Sequence, residues 1–535
     1  MTTPVKAQHF AGVEVRLGGT ALEPQMAAQL LEVRVQDSLT LPDAFLLRLG
    51  DPELEHVDSG PFDVGAEVEI LFAAPDAATL TSLIKGQITT SEPEFGPEGA
   101  ILAARGYDHA HSLNRTRRSE TFQNVTADDV ARKVADRAGL RTGTIDDAGV
   151  AHDFVQQSSE TDWELLLRLA AAIDFEVVVE DRALHFRRAS GSDRGQAPTL
   201  RWGERLRSFS PRITGVAQVD EVLVRGWDPQ GKQAISASAR AEELSAEIGV
   251  TRDELVSSLG GGTVTVADRP VSTQAEADAL ARSVAAQLGN AFVEAQGVTD
   301  GDPGLRAGRQ VTIDGVGAKF GGTYTLSATT HLFRGSKGYQ TSFQITGRTP
   351  RGLLDLMSQA PRRKWAEGPV VGVVTQNQDP DGLGRVRVKY PELGDENEGW
   401  WARLASPSAG SGRGLLMMPV VGEEVLLCFE HGDVRRPYVL GSLWNGKEKP
   451  EALAQTDGSF ALRSDEKVVI ESTGDFSVSS DSGDVSVSSD SGKVSVSAGT
   501  DVVIEAQTSV TIKAPSLKLE ASGVVEISGS QIALG

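Results

Sequence analysis

The sequence predicts a mainly β protein with inserted helices, closing with an OB-like barrel and then a C-terminal intertwined trimeric β-helix, or β-prism. Two observations carry most of that prediction. Period-two alternation, as in Val13-Glu14-Val15-Arg16-Leu17 and Arg385-Val386-Arg387-Val388-Lys389, recurs between turn signals such as Leu41-Pro42-Asp43. The final stretch then repeats a pair of apolar residues, one residue apart, at a step of about eight. At 535 residues the chain is too long for one core, so three or four domains are expected.

Residues 1–350 read as two similar β-rich halves, each with helices inserted. In the first half, Val13–Leu17, Leu31–Val35 and part of Val68–Phe72 alternate as strands. A helix follows with Thr126 as N-cap, Asp129 at its third position and Gly139 as its stop. A capping box from Thr161 to Glu164 starts a second helix, and strands return at Phe175–Val179 and Leu184–Phe186. In the second half Val222–Gly226 reads as a strand. Ala239–Leu259, rich in Ala and Glu, reads as helix interrupted at Gly249. Thr273 caps a helix to Leu288, with Glu276 three residues in and Gly289 at its end. Gln310–Ile313 and Tyr339–Thr346 are the last strands of this half, and residues 351–366 read as a short helical connector with the basic patch Arg362-Arg363-Lys364.

Residues 367–446 have a different texture. Val370–Val374, a turn over Asn377–Gly384, and the alternating Arg385–Tyr390 lead to strands at Trp400–Arg403, Gly414–Pro419, Val421–Leu427 and Pro437–Gly441, closed by Leu443–Asn445. Five or so short strands in about eighty residues is the size of a small OB-like barrel. Cys428, the one cysteine, excludes an intrachain disulfide framework and is expected as a small buried hydrophobe. Residues 447–467 form a linker, too short for an enzyme domain.

From 468 to 535 the apolar pairs are Val468/Ile470, Phe476/Val478, Val485/Val487, Val494/Val496, Val502/Ile504, Val510/Ile512, Leu517/Leu519, Val525/Ile527 and Ile532/Leu534, separated mostly by Ser, Gly, Asp and Thr. Each unit is a three-residue strand whose apolar ends point one way, followed by a turn. One such strand buries almost nothing, so the units must stack; at ~4.8 Å per layer the stack is on the order of 40 Å long. A single-chain three-sided solenoid and three intertwined chains both fit the spacing. The trimer is favoured, because it lets every pair meet its equivalents and leaves no sheet edge open.

Formal charge is -22, which argues against nucleic acid or an anionic membrane surface as the main partner. Met1–Gly19 has no apolar signal-peptide core and no run of 18 apolar residues occurs. The chain is therefore expected to be made in the cytoplasm and to leave by another route.

No metalloprotease, nucleophile-elbow or phosphate-loop motif is present, and no catalytic, cofactor-binding or metal residue is predicted. His109 and His111 would share a face on a strand but lack a third ligand. Gly410–Gly414 is read as a barrel loop, and Gly315-Val316-Gly317 as a hairpin turn. Asp379 and Asp381 open like a calcium loop without the distal Glu, so they are read as a turn. The Asp-Ser-Gly repeats lack the Gly-Gly pairs of a calcium β-roll.

The barrel residues carry a resemblance. Val371-Gly372-Val373-Val374, Asp381-Gly382-Leu383-Gly384-Arg385-Val386-Arg387-Val388, Trp400-Trp401-Ala402-Arg403, Pro419–Val425 and Gly432–Pro437 strongly resemble the VgrG family, the spikes of type VI secretion and related contractile injection systems, similar to phage tail hub-and-spike proteins. Gly106-Tyr107-Asp108, Asn114–Arg118 and Gln157–Leu166 look like the family's hub region. The resemblance implies a non-enzymatic homotrimer of β-barrel hub domains, an OB-like neck and a needle. In it, Phe476, Val478, Val485, Val487, Val494, Val496, Val502, Ile504, Val510, Ile512, Leu517, Leu519, Val525, Ile527, Ile532 and Leu534 form the trimer core. Implied partners are the inner-tube protein, baseplate components, a PAAR-like tip protein at the C-terminal end and effector cargo, with no nucleic acid. Ending at Gly535, the chain is expected to carry no fused toxin. A trimeric adhesin or tail fibre, or a polysaccharide-active solenoid enzyme, would be the alternative.

Overall fold

The computed structural model describes residues 12–74, 79–97, 99–189, 195, 198–216, 218–241, 246–335, 337–347, 368–394, 398–450 and 460–533. The predicted connector at 351–366 and part of the linker at 447–467 lie outside them. The chain divides into two units, one ending at Lys449 and one starting at Pro450.

In the first unit, alternation places Val33, Val35, Phe45, Leu47, Leu49, Ile70 and Phe72 on one buried face of a large sheet. Its eleven strands run in the order Leu206–Ile213, Val293–Asp300, Gly338–Ile345, Ala328–Arg334, Leu30–Ser38, Ala44–Gly50, Gly99–Asp108, Thr81–Gly96, Glu67–Phe72, Val13–Leu17, Thr20–Ala21. Strands of both sequence halves therefore share one sheet. The seam is the antiparallel pair Leu30–Ser38 with Ala328–Arg334, in which Val35 faces His331. Gly106 is needed where this sheet is tightest, since a Cβ there would stand 2.1 Å from the Gln87 carbonyl and 2.3 Å from the Phe45 ring.

The helices sit where their caps place them. Ala127–Arg137 and Asp162–Ala172 begin at Thr126 and Thr161, each with a reciprocal capping box, to Asp129 and Glu164. Their apolar faces, including Val130, Val134, Leu165 and Leu166, pack on Val177, Leu184 and Phe186 of a small three-stranded sheet. Gly139, at φ +68°, ends the first helix as expected. Gln274–Gly289 packs Ala277, Leu280 and Ala281 against Val222, Val224 and Ile235.

The stretch Ala239–Leu259 corrects the helical expectation. Ala246–Ile248 is an edge strand paired with Gly322–Tyr324, and only Arg252–Ser258 is helical, started by the Thr251–Glu254 capping box. Tertiary pairing overrides the helical propensity of Ala and Glu here. At Gly249 a Cβ would lie 1.9 Å from the Ala318 carbonyl, so the break is enforced by backbone contact.

The barrel is closed by five strands in the order Val370–Gln376, Val386–Lys389, Glu398–Leu404, Pro437–Ser442, Glu424–Phe429. Val374, Val386, Val388, Tyr390, Ala402, Val425, Leu427 and Val439 fill it. Two strand expectations fail. Glu398–Leu404 pairs in parallel with Pro437–Ser442, which completes the barrel and leaves Gly414–Pro419 no partner. Only Arg413–Gly414 pairs, with Ala409–Gly410, and Leu415, Leu416 and Met417 are exposed. Leu443–Asn445 is likewise not a strand. Cys428 is half-buried rather than buried, because Val425, Leu427 and Phe429 take the inner face and turn it outward opposite Tyr438.

Candidate functional site

The Asp-rich barrel turn is a structural device. Asp379 accepts hydrogen bonds from the Asp381, Leu383 and Arg385 N–H groups at 3.1, 2.9 and 3.2 Å, and from the Arg385 guanidinium at 2.7 and 3.0 Å. The Arg385 hydrogen bond is the main reason its carboxyl falls to about 2. Arg385 also lies over the Trp401 ring, 5.7 Å from its centroid. A carboxylate so occupied is the acceptor that folds the loop. The turn reading of Asp379 and Asp381 is the geometry observed.

The hub motifs meet one another. Arg117 donates to the Ser159 carbonyl at 2.6 Å and to Glu164 at 3.0 Å, and the Thr161 hydroxyl reaches Asn114 Oδ1 at 3.3 Å. Gln157 donates to Asp162, which Arg137 also holds at 2.5 and 3.1 Å. These residues fix the bulge between Gln157 and Glu160, where Ser159 takes φ +51°. His109 and His111 lie on a 3-10 turn, His109–Asn114, not on a strand, so the shared face expected of them is absent. Among the described residues no group of three or more His, Cys, Asp or Glu side chains could hold a metal ion.

One buried polar centre escaped sequence reasoning. At the seam Arg306 donates to Asp37 at 2.6 Å, with Asp43 3.9 Å away, beside a cavity of about 360 Å³ also lined by Asp108 and Lys85. His331 is fully buried and bonded to Tyr339, Thr341 and the Leu305 carbonyl. Burial, and then the Arg306 charge, hold it neutral with its pKa down to about 3. These residues are distant in sequence and follow no motif, so only the fold assembles them.

In the second unit, the described residues 460–533 form no strand pairing and no backbone–backbone hydrogen bond. The Ser480 and Ser489 hydroxyls accept from the Gly483 and Gly492 N–H groups at 3.0 and 3.1 Å, closing the corners between units. Phe476, Val478, Val485, Val487, Val494, Val496, Val502, Ile504, Val510, Ile512, Leu517, Leu519, Val525, Ile527 and Ile532 are each 52–78% exposed; Leu534 lies outside the described residues. A single-chain solenoid would hydrogen-bond coil to coil and bury these pairs. The described residues do neither.

Comparison with known proteins gives two family matches. Residues 370–444 match the type VI secretion system/phage-baseplate injector OB domain. Residues 8–334, more than half of the chain, match the Alg8 N-terminal domain. The chain belongs to the Alg8 N-terminal domain family. It is also similar to the type VI secretion system spike protein VgrG4b of Pseudomonas aeruginosa, with 34% identity over 128 residues, 23% of this chain and 16% of that protein. The likeness to VgrG3 of Vibrio cholerae is 31% over 108 residues, 18% of this chain and 11% of the relative. These matches thus span less than a fifth of the relatives' length. An Escherichia coli structure, the c3393 protein, is described as a type VI secretion component similar to T4 tail proteins gp27 and gp5. It shares the fold with a TM-score of 0.50 at 15% identity, covering 80% of this chain and 99% of that one. The chain thus carries an injector OB domain and is similar over part of its length to VgrG spike proteins.

Proposed function

We propose that three copies of this chain form the structural spike of a contractile injection machine, capping its inner tube and puncturing the target envelope. The observation that carries this is the ladder of exposed apolar pairs from Phe476 to Ile532, which nothing among the described residues covers, on a chain that also bears an injector OB domain. Three copies would bury each pair against its equivalents and satisfy the open backbone groups between chains. The spike works mechanically and needs no catalytic residue. Its partners on this reading are its own second and third copies, the inner-tube protein, baseplate components, a PAAR-like tip protein and cargo. The chain would be made in the cytoplasm, built into the baseplate and delivered outward on firing.

The test is the native mass of the purified chain by light scattering, beside a truncation ending at Asn445. A species of three times 56.7 kDa that weakens on truncation is the expected result. A stable monomer at micromolar concentration overturns the spike reading.

A further inference from the structure

The helix Gln274–Gly289 starts differently from the other capped helices. At Thr126, Thr161 and Thr251 the acidic residue three positions on returns to the N-cap's own N–H. Glu276 instead accepts from the Ser272 N–H, one residue earlier, at 2.9 Å. Its carboxylate is thereby turned to the barrel. Oε1 lies 3.5 Å from Arg435 Nη1 and 3.4 Å from His152 Nδ1, and Oε2 lies 3.6 Å from Arg436 Nη2. Both arginines stand on the loop leading into Pro437–Ser442, and Asp433 fixes Arg435 with a two-pronged pair at 2.8 and 3.1 Å. Arg436 is also 3.7 Å from Glu430. Beside the cluster, Phe154 of the hub stacks on Trp400 of the barrel with ring centroids 5.5 Å apart. The side chains of Glu276, His152 and Arg436 are only 12–14% exposed, so water screens these charges weakly.

We propose that Glu276 is a coupling residue: by sharing one buried carboxylate among His152 of the hub and Arg435 and Arg436 of the barrel, it makes hub and barrel yield as one body. The purpose rests on the spike reading, in which axial load must cross this joint; the coupling itself does not. Losing Glu276 leaves two partly buried guanidinium groups with one counter-charge fewer, which is costlier than losing an exposed pair. Burial alone would raise the Glu276 carboxyl. The His152 hydrogen bond and the two arginines bring it down to about 2 instead.

The test is hydrogen exchange on the full chain across a denaturant series, following barrel peptides around Val425–Phe429 and hub peptides around Val130–Ala135. In the parent chain the two sets should open together. In Glu276→Gln, which keeps the shape and the Ser272 acceptor, the barrel peptides should open at lower denaturant, with exchange at least tenfold faster than the hub's. Glu164→Gln, a cap within the hub, should leave the two sets coincident. Coincident opening in Glu276→Gln, with exchange changed less than twofold, overturns the coupling whatever the native mass.

Discussion

At the seam of the large sheet three carboxylates, Asp37, Asp43 and Asp108, gather around one guanidinium, Arg306. Asp37 takes the direct ion pair. Burial and then the charges of Asp37 and Asp108 push Asp43 well above the usual carboxylate range. Burial raises Asp108 to about 7, despite the hydrogen bond it accepts from the Ala110 N–H. A carboxyl whose folded pKa is raised holds its proton better in the folded state, so stability is fullest below the ordinary value of 3.8 and is lost as pH rises towards about 7. His331, lowered by burial from 6.5 to about 3, contributes with the opposite sign, adding stability as pH rises towards 6.5, and Glu276 titrates below the window. We therefore expect the hub to unfold at lower denaturant at pH 8 than at pH 6.5, a range in which the Asp108 loss outweighs what remains of the His331 gain. Asp108→Asn, which keeps the acceptor for Ala110, should flatten that slope. An unchanged slope in the variant would mean that Asp108 is not a source of it.

At the scale of elements, what the sequence made legible is local chemistry. The caps at Thr126, Thr161 and Thr273 and the alternating strands of the barrel are each written within four or so neighbouring residues, and each is found. What stayed hidden depends on distant partners. Ala246–Ile248 is a strand because Gly322–Tyr324 lies beside it, and Gly414–Pro419 is not one because the barrel is already closed. The Glu276 carboxylate was legible as part of a cap but not as a contact with Arg435, some 160 residues on. The repeat from 468 is the extreme case, since its period is plain while no described residue of the chain pairs with its units. That bears on a substitution at its centre. In the proposed trimer, Val496→Asp would bring three carboxylates together in place of three valines, at several kcal/mol per unpaired ion. Light scattering should then show monomer at concentrations where the parent chain is trimeric, while Val130–Ala135 stays protected from exchange. Trimers of parental stability would rule out a core position for Val496.

For the molecule as a whole, the two units differ in what holds them. The unit ending at Lys449 has its own apolar clusters, such as those around Val130 and Leu165, around Val33 and Leu47, and inside the barrel. The unit from Pro450 has none among its described residues, and its apolar side chains face solvent. A segment without a core cannot offset the entropy of ordering its backbone, at roughly 1–2 kcal/mol per residue. On the spike reading its order comes from association, and association follows mass action. The two units should therefore answer dilution differently. When the full chain is diluted stepwise and probed by hydrogen exchange, peptides from Phe476 to Ile532 should lose protection cooperatively at the concentration where the mass falls from trimer to monomer. Peptides from Val130–Ala135 and Val425–Phe429 should keep theirs through the same step. Needle peptides that stayed protected in a monomeric sample would mean that the chain can close the repeat upon itself. The solenoid set aside on the exposure of these pairs would then return.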